Sequence, residues 1–192
     1  MKEDIKKHII DSINTKQAML GDEAILDSII KAADICIYAL KNGRKIMIAG
    51  NGGSAADAQH IAGELVNRFM FNRSGLAAVA LTTDTSVITA ISNDYSFDIV
   101  FSRQVESIGN EGDVLILLST SGRSVNILKA AEAAHKKKIT VIGITGKTGG
   151  QMMDYCDLLI KAPSDITPRI QECHILIFHI ICSLIEEKLF KR

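Results

Sequence analysis

The sequence predicts an α/β fold: an open, five-stranded parallel sheet flanked by helices on both faces, with a helical pair ahead of it. Three observations predict it. From residue 45 onward, short and nearly continuous apolar runs alternate with segments of helical spacing, the pattern of strands buried on both faces. The chain is 47% hydrophobic with two prolines, and shows no repeat or low-complexity segment; over 192 residues that suffices for a core that offsets chain entropy. The turns after the first and third apolar runs are rich in glycine and hydroxyl side chains, at the carboxyl ends of strands, where parallel sheets bind ligands.

Each element follows in order. Residues 3–19 and 23–41 carry apolar side chains at helical spacing, in the second case Ile25, Ile29, Ala32, Ala33 and Cys36, and "KNG" at 41–43 ends that helix with Gly43 as its cap. "KIMIAG" (45–50) is the first strand, followed by a helix to about residue 70. "AAVALTT" (77–83) is the second, followed by "TSVITAIS" (85–92) and a helix near 97–107. "DVLILLS" (113–119), a helix over 124–137, "ITVIGITG" (139–146) and "LLIKAP" (158–163) complete the sheet, and a last helix runs from near Pro168 to about 189. We expect one domain over 1–192, with helices in 1–42 and the α/β core in 43–192. The helical pair is either an appendage or part of an oligomer interface.

Charge and composition narrow the partners. Lys and Arg equal Asp and Glu at 22 each and are dispersed, which argues against nucleic acid. "HKKK" (135–138), the one basic run, reads as the solvated last turn of a helix. The cysteines at 36, 156, 173 and 182 have no CxxC spacing, and "MKEDIKKHIIDS" is amphipathic rather than a secretion signal; free, mostly buried thiols in a cytoplasmic protein are expected. "ILIFHIICSLI" (175–185) is too short to span a membrane and carries His179 at its centre. It is apolar on nearly every side, so a second subunit is expected to cover one face.

Two loops and two helices carry the chemistry. "STSGRS" (119–124) sets four hydroxyls and Gly122 just ahead of a helix. Free N–H groups and a positive dipole end there suit the phosphate of a small metabolite, though a plain N-cap explains the same residues. In "GNGGSAAD" (50–57), Ser54 and Asp57 read as a capping-box variant, and three glycines around Asn51 suggest the close approach of a ligand. His60 and Glu64 share a helix face. Gln171, Ile175 and His179 lie along one stripe of the last helix, with Gln171 and His179 about 12 Å apart along its axis. His174 points about 140° away from His179, and with His8 and His135 is read as structural or exposed. The residues alone leave three uses open for His60, Glu64, Gln171 and His179: plain hydrogen bonds, a zinc site, or acid/base work by Glu64 and His179.

"GNGGSAADAQHIAGEL", "ALTTDTSVITAISND", "STSGRS" and "RIQECHI" together resemble the phosphoheptose isomerases of the sugar isomerase (SIS) class, over nearly the whole chain. The resemblance implies a SIS-type, flavodoxin-like three-layer fold. It implies conversion of sedoheptulose 7-phosphate to D-glycero-D-manno-heptose 7-phosphate through an enediol(ate), feeding ADP-heptose for lipopolysaccharide or capsule. It also implies a cytoplasmic homotetramer with active sites between subunits, and no nucleic-acid or membrane partner. Glu64 matches the catalytic base and His179 its acid/base partner; His60, Glu64, Gln171 and His179 match the ligands of one zinc ion per site. Ser54, Ser119, Thr120, Ser121 and Ser124 match phosphate and sugar contacts, and Asn51, Gly52, Gly53, Arg68, Asp94 and Gln171 match pocket-lining positions. Arg123 departs from the Asn of many relatives and is expected to face solvent. Two other functions fit the same outline: a non-catalytic SIS tetramer that binds the replication initiator, a group that lacks the acidic residue at Glu64, and an isomerase for a shorter phosphosugar.

Overall fold

The two most continuous apolar runs become neighbouring central strands. In a computed structural model, which describes residues 1–191, β1 (Ile46–Gly50) and β3 (Val114–Ser119) are buried at every position and pair in parallel, Ile46 with Val114 and Gly50 with Leu118. β2 (Ala78–Ala80) lies outside β1, and β4 (Thr140–Thr145) and β5 (Leu158–Lys161) lie outside β3. The order β2-β1-β3-β4-β5 is parallel throughout. It reverses direction between β1 and β3, and the crevice beyond their carboxyl ends is where such sheets take ligands.

The alternation of side chains along each strand divides the core in two. Ile46, Ile48, Ile116 and Leu118 face α2 (Glu23–Lys41), α3 (Gly53–Val66) and α7 (Thr167–Phe190), through Cys36, Ile61, Leu65, Ile177 and Phe178 among others. Met47, Ala49, Leu115 and Leu117 face the opposite layer, where α5 (Val100–Ile108) and α6 (Val125–Lys136) supply Phe101, Val105, Ile127 and Ala134. The helices that leave β1 and β3 therefore cover opposite faces, which opens the crevice between their first turns. α2 ends as the sequence predicts: Gly43 sits at φ 68° and Arg44 N–H closes on the Ala39 carbonyl at 3.0 Å.

α1 (Lys2–Leu20) is attached rather than embedded. Met19 is its one buried residue, while Ile5, Ile9, Ile10 and Ile13 are about half exposed. It is tied to α7 by polar contacts: Ser12 Oγ donates to Glu172 at 2.7 Å, and Arg169 donates to the His8 carbonyl. Among the described residues, no helix is long and apolar enough to cross a membrane.

Three boundaries differ from the sequence expectation. The second strand is three residues long, not seven: Leu81 N–H still reaches the Ile48 carbonyl, but Thr82 and Thr83 turn toward α4 (Thr85–Asp94), capped by Asp84 on Val87 N–H. The helix expected near 97–107 opens with a 3-10 turn over Phe97–Ile99. The helix after β1 stops at Val66 instead of about 70, because a carboxylate more than a hundred residues away claims the backbone that would continue it. Glu186, on α7, accepts Phe69 N–H at 2.7 Å and Met70 N–H at 2.8 Å, and pairs with Arg73 Nε at 2.8 Å. Arg73 then donates to the carbonyls of Glu64 and Leu65 at the end of α3, and to those of Asn67 and Ser74. Both side chains are 1% exposed.

Burial alone raises the Glu186 carboxyl, but the two backbone donors and Arg73 outweigh it and hold it below its ordinary 4.5. A carboxylate depressed on folding contributes stability that is complete above its unfolded value and is lost as pH falls through the folded one. Glu186→Gln should therefore cost about 3 kcal/mol at neutral pH, the expected loss on breaking a buried pair. In urea titrations the gap from wild type should narrow as pH drops below 4.5; a gap that stays constant into acid would contradict the assignment.

Candidate active site

The loop after β1 is shaped by the backbone first. Gly52, at φ 55°, is the N-cap of α3, and Ser54 N–H donates to the Asn51 carbonyl at 3.0 Å. The helix thus begins ahead of Ser54, and the expected capping box does not form: no side chain caps α3. Ser54 is 3% exposed, with its Cβ against Gly50. Gly53 admits a close approach, but of the chain's own Gln171, whose amide occupies the space a Cβ would take. Asp57, released from capping, has a buried Oδ2 with no hydrogen-bond partner among the described residues. Burial pushes its carboxyl above the ordinary 3.8, with His60 pulling the other way.

The loop after β3 is braced internally. Ser119 Oγ accepts Gly122 N–H at 3.1 Å and lies 3.3 Å from Ser124 Oγ, and Ser121 Oγ accepts Arg123 N–H at 3.3 Å. The Thr120 carbonyl accepts Gly146 N–H. Gly122, at φ 64°, makes room for the Gly149 carbonyl. Ser124 is the N-cap of α6 yet makes no side-chain cap bond, so the first N–H groups of that helix remain open to an anion. The two loops are joined by a reciprocal amide pair: Asn51 Nδ2 donates to Asn126 Oδ1 at 2.9 Å, and Asn126 Nδ2 to Asn51 Oδ1 at 3.0 Å.

The chemistry-bearing groups meet where α3 and α7 lie side by side. His60 Nε2 is 3.0 Å from Glu64 Oε1 and 3.4 Å from His179 Nε2. Ligand atoms of all three lie within 4.8 Å of one another, and the two imidazoles meet edge to face, 5.2 Å between centroids. The cluster is accessible: the His60 side chain is 48% exposed and Glu64 26%. Two imidazole nitrogens and a carboxylate oxygen are donors of catalytic zinc. Ligands about 2.05 Å from a tetrahedral ion stand about 3.3 Å apart, close to the two separations that His60 makes here.

The remaining expected residues are spread around this centre. The Gln171 amide rests against Gly53, at the start of the helix that carries His60 and Glu64. Arg68, Asp94 and Arg123 are exposed, and Asp94 accepts a bond from its neighbour Asn93 at 2.9 Å. His174 is fully buried, and burial pushes it down to about 4 against a weaker upward pull from the Thr145 carbonyl, the behaviour of a structural histidine. Asn126, Asp57, Phe69, Arg73 and Glu186 escape sequence reasoning. Only Asp57 leaves a periodic trace: two turns before Glu64, it falls at nearly the same angle on α3.

A three-layer fold with a parallel sheet of this order is the architecture of a sugar isomerase domain. The model of the SIS domain family matches residues 11–146, and the chain belongs to that family. More particularly, it is 56% identical over 191 residues to the phosphoheptose isomerase of Aneurinibacillus thermoaerophilus, covering 100% of this chain and 96% of that one. Solved phosphoheptose isomerases superpose closely. That of Neisseria gonorrhoeae does so with TM-score 0.90 at 45% identity, over 97% of this chain and 98% of the other. That of Francisella tularensis does so with TM-score 0.92 at 39% identity, over 96% and 97%.

Because the obstacle above Gly53 is the flexible end of a side chain, Gly53→Ala should fold with a melting temperature within about 3 °C of wild type. Its crystal structure should show the Gln171 amide moved off α3. An amide still seated over residue 53 would show that the close packing described here is wrong.

Proposed function

We propose that the protein is an aldose–ketose isomerase that converts sedoheptulose 7-phosphate to D-glycero-D-manno-heptose 7-phosphate. The observation that carries this is the convergence of Glu64 with His60 and His179, in a chain more than half identical, end to end, to a phosphoheptose isomerase. That identity also weighs against a non-catalytic tetramer.

The reaction moves one hydrogen between adjacent carbons. Glu64 takes the C1 proton of the ketose, electrons move into a C1=C2 enediol, and the same carboxylate returns the proton to C2. His179 takes the O1 proton and delivers one to O2, work that suits an imidazole near neutral pH. The open first turn of α6, with Ser119, Thr120, Ser121 and Ser124 around it, holds the phosphate. Asn51, Gly52, Gly53 and Ser54 form the neighbouring wall, and Arg68 and Asp94 lie at the rim. His60, Glu64 and His179 would hold one zinc ion, which polarises the sugar carbonyl and steadies the developing negative charge. Gln171, resting on Gly53, is placed toward the sugar between loop and cluster; to serve as a metal ligand it would come from a neighbouring subunit. A carboxylate that also held the ion would be a weaker base, so the two roles of Glu64 compete.

The apolar side chains left half exposed on α1, with Ile175, Ile180 and Leu184 on α7, support a homotetramer whose sites lie near subunit contacts. We place it in the cytoplasm, supplying heptose for a surface glycan such as lipopolysaccharide or capsule.

Incubation of the protein with sedoheptulose 7-phosphate should produce the C1 aldehyde signal of the aldose by NMR, with a chelator reducing the rate. Glu64→Gln should abolish turnover yet bind the sugar phosphate within about threefold of wild type, since the phosphate grip is elsewhere. Near-normal turnover in that variant would remove Glu64 from the mechanism.

A further inference from the structure

The segment between α3 and β2 does more than connect them. Phe69 lies nearly parallel to the His179 imidazole, with centroids 5.3 Å apart and planes at 24°. Its backbone N–H is fixed by Glu186, which lies two helical turns beyond His179 on the same helix. Arg73 completes the frame: Nε binds the carboxylate that holds Phe69, while Nη1 and Nη2 bind the carbonyls of Leu65 and Glu64. One buried ion pair thus grips the end of the helix that carries Glu64, the helix that carries His179, and the ring laid on His179.

We propose that Phe69 is a positioning residue: its ring fixes the plane of the His179 imidazole, and the Arg73–Glu186 pair fixes the ring by clamping the backbone that carries it. The need is geometric. His179 otherwise meets only the edge of His60, at 61°, and an imidazole with no second ring against its face can turn about its Cβ–Cγ bond. A proton shuttle between two adjacent oxygens tolerates little such rotation. Stacking adds restraint without a hydrogen bond of its own, and so takes up neither ring nitrogen. A residue that merely filled the loop would need no carboxylate on its N–H and no near-parallel ring.

The inference rests on the isomerase reading, and wild-type turnover of sedoheptulose 7-phosphate is the control that decides that reading separately. Against that control, Phe69→Leu should lower kcat about tenfold with KM within twofold, and Phe69→Tyr, which keeps the ring, should restore kcat to near wild type. With histidines labelled at Cε1, the His179 Hε1 resonance should move downfield in Phe69→Leu as the shielding ring is lost, and stay in place in Phe69→Tyr. An unmoved resonance in Phe69→Leu overturns the stack. A moved resonance with kcat unchanged, or a fall in kcat that Phe69→Tyr does not rescue, overturns the positioning role.

Discussion

The carboxylate of Glu186 is the constraint on which the site depends. It sits where no water reaches it, and three donors converge on it. Burying such a pair offers little net stability over an apolar contact of the same shape. What it provides is definition. Helices that pack only through apolar side chains can shift against one another at small cost, whereas a charge that must keep three bonds cannot. α3 and α7 carry the His60–Glu64–His179 cluster, and this charge, with Arg73, adds a directional tie between them to the apolar packing of Ile61, Leu65, Ile177 and Phe178.

A second restraint works at the other end of α3. The Asn51–Asn126 pair joins the start of α3 to the start of α6 across the reversal of strand order. An amide pair bonded in both directions has one good geometry, so the two loops keep a fixed separation. The hydroxyls of 119–124 are largely committed to bracing their own turn, which keeps the N–H groups of α6 aimed outward before any anion arrives. Neutral amides thus join the two loops at the crevice, and a buried ion pair ties the far ends of α3 and α7.

Much of this was legible in the sequence because it follows from periodicity. Strands buried on both faces read as continuous apolar runs, and each of the five was visible. His60 and Glu64 were visible as one helical stripe, and the family resemblance joined them to His179. What escaped depends on contacts between distant residues. Phe69, Met70 and Phe71 extend the apolar pattern of α3, so the helix seemed to reach about 70; nothing near them announces that Glu186 competes for their N–H groups. Glu186 itself reads as one of a pair of surface acids in "IEEKLF". The glycines are a related case: Gly53 and Gly122 admit close neighbours that no local pattern names, Gln171 and the Gly149 carbonyl. Sequence marks the space a missing side chain leaves without saying what fills it.

The way α1 is attached has a further consequence. A nineteen-residue helix with one buried side chain is near the limit at which a helix holds in water by its own propensity. Its polar ties to α7 are partly exposed and weak. In the proposed tetramer a neighbouring subunit would shield Ile5, Ile9 and Ile13, and protein concentration would then enter the folding equilibrium of α1 by mass action. Assembly and local order in this segment would become a single equilibrium, with the amino-terminal helix fraying on dilution while the sheet behind it stays intact.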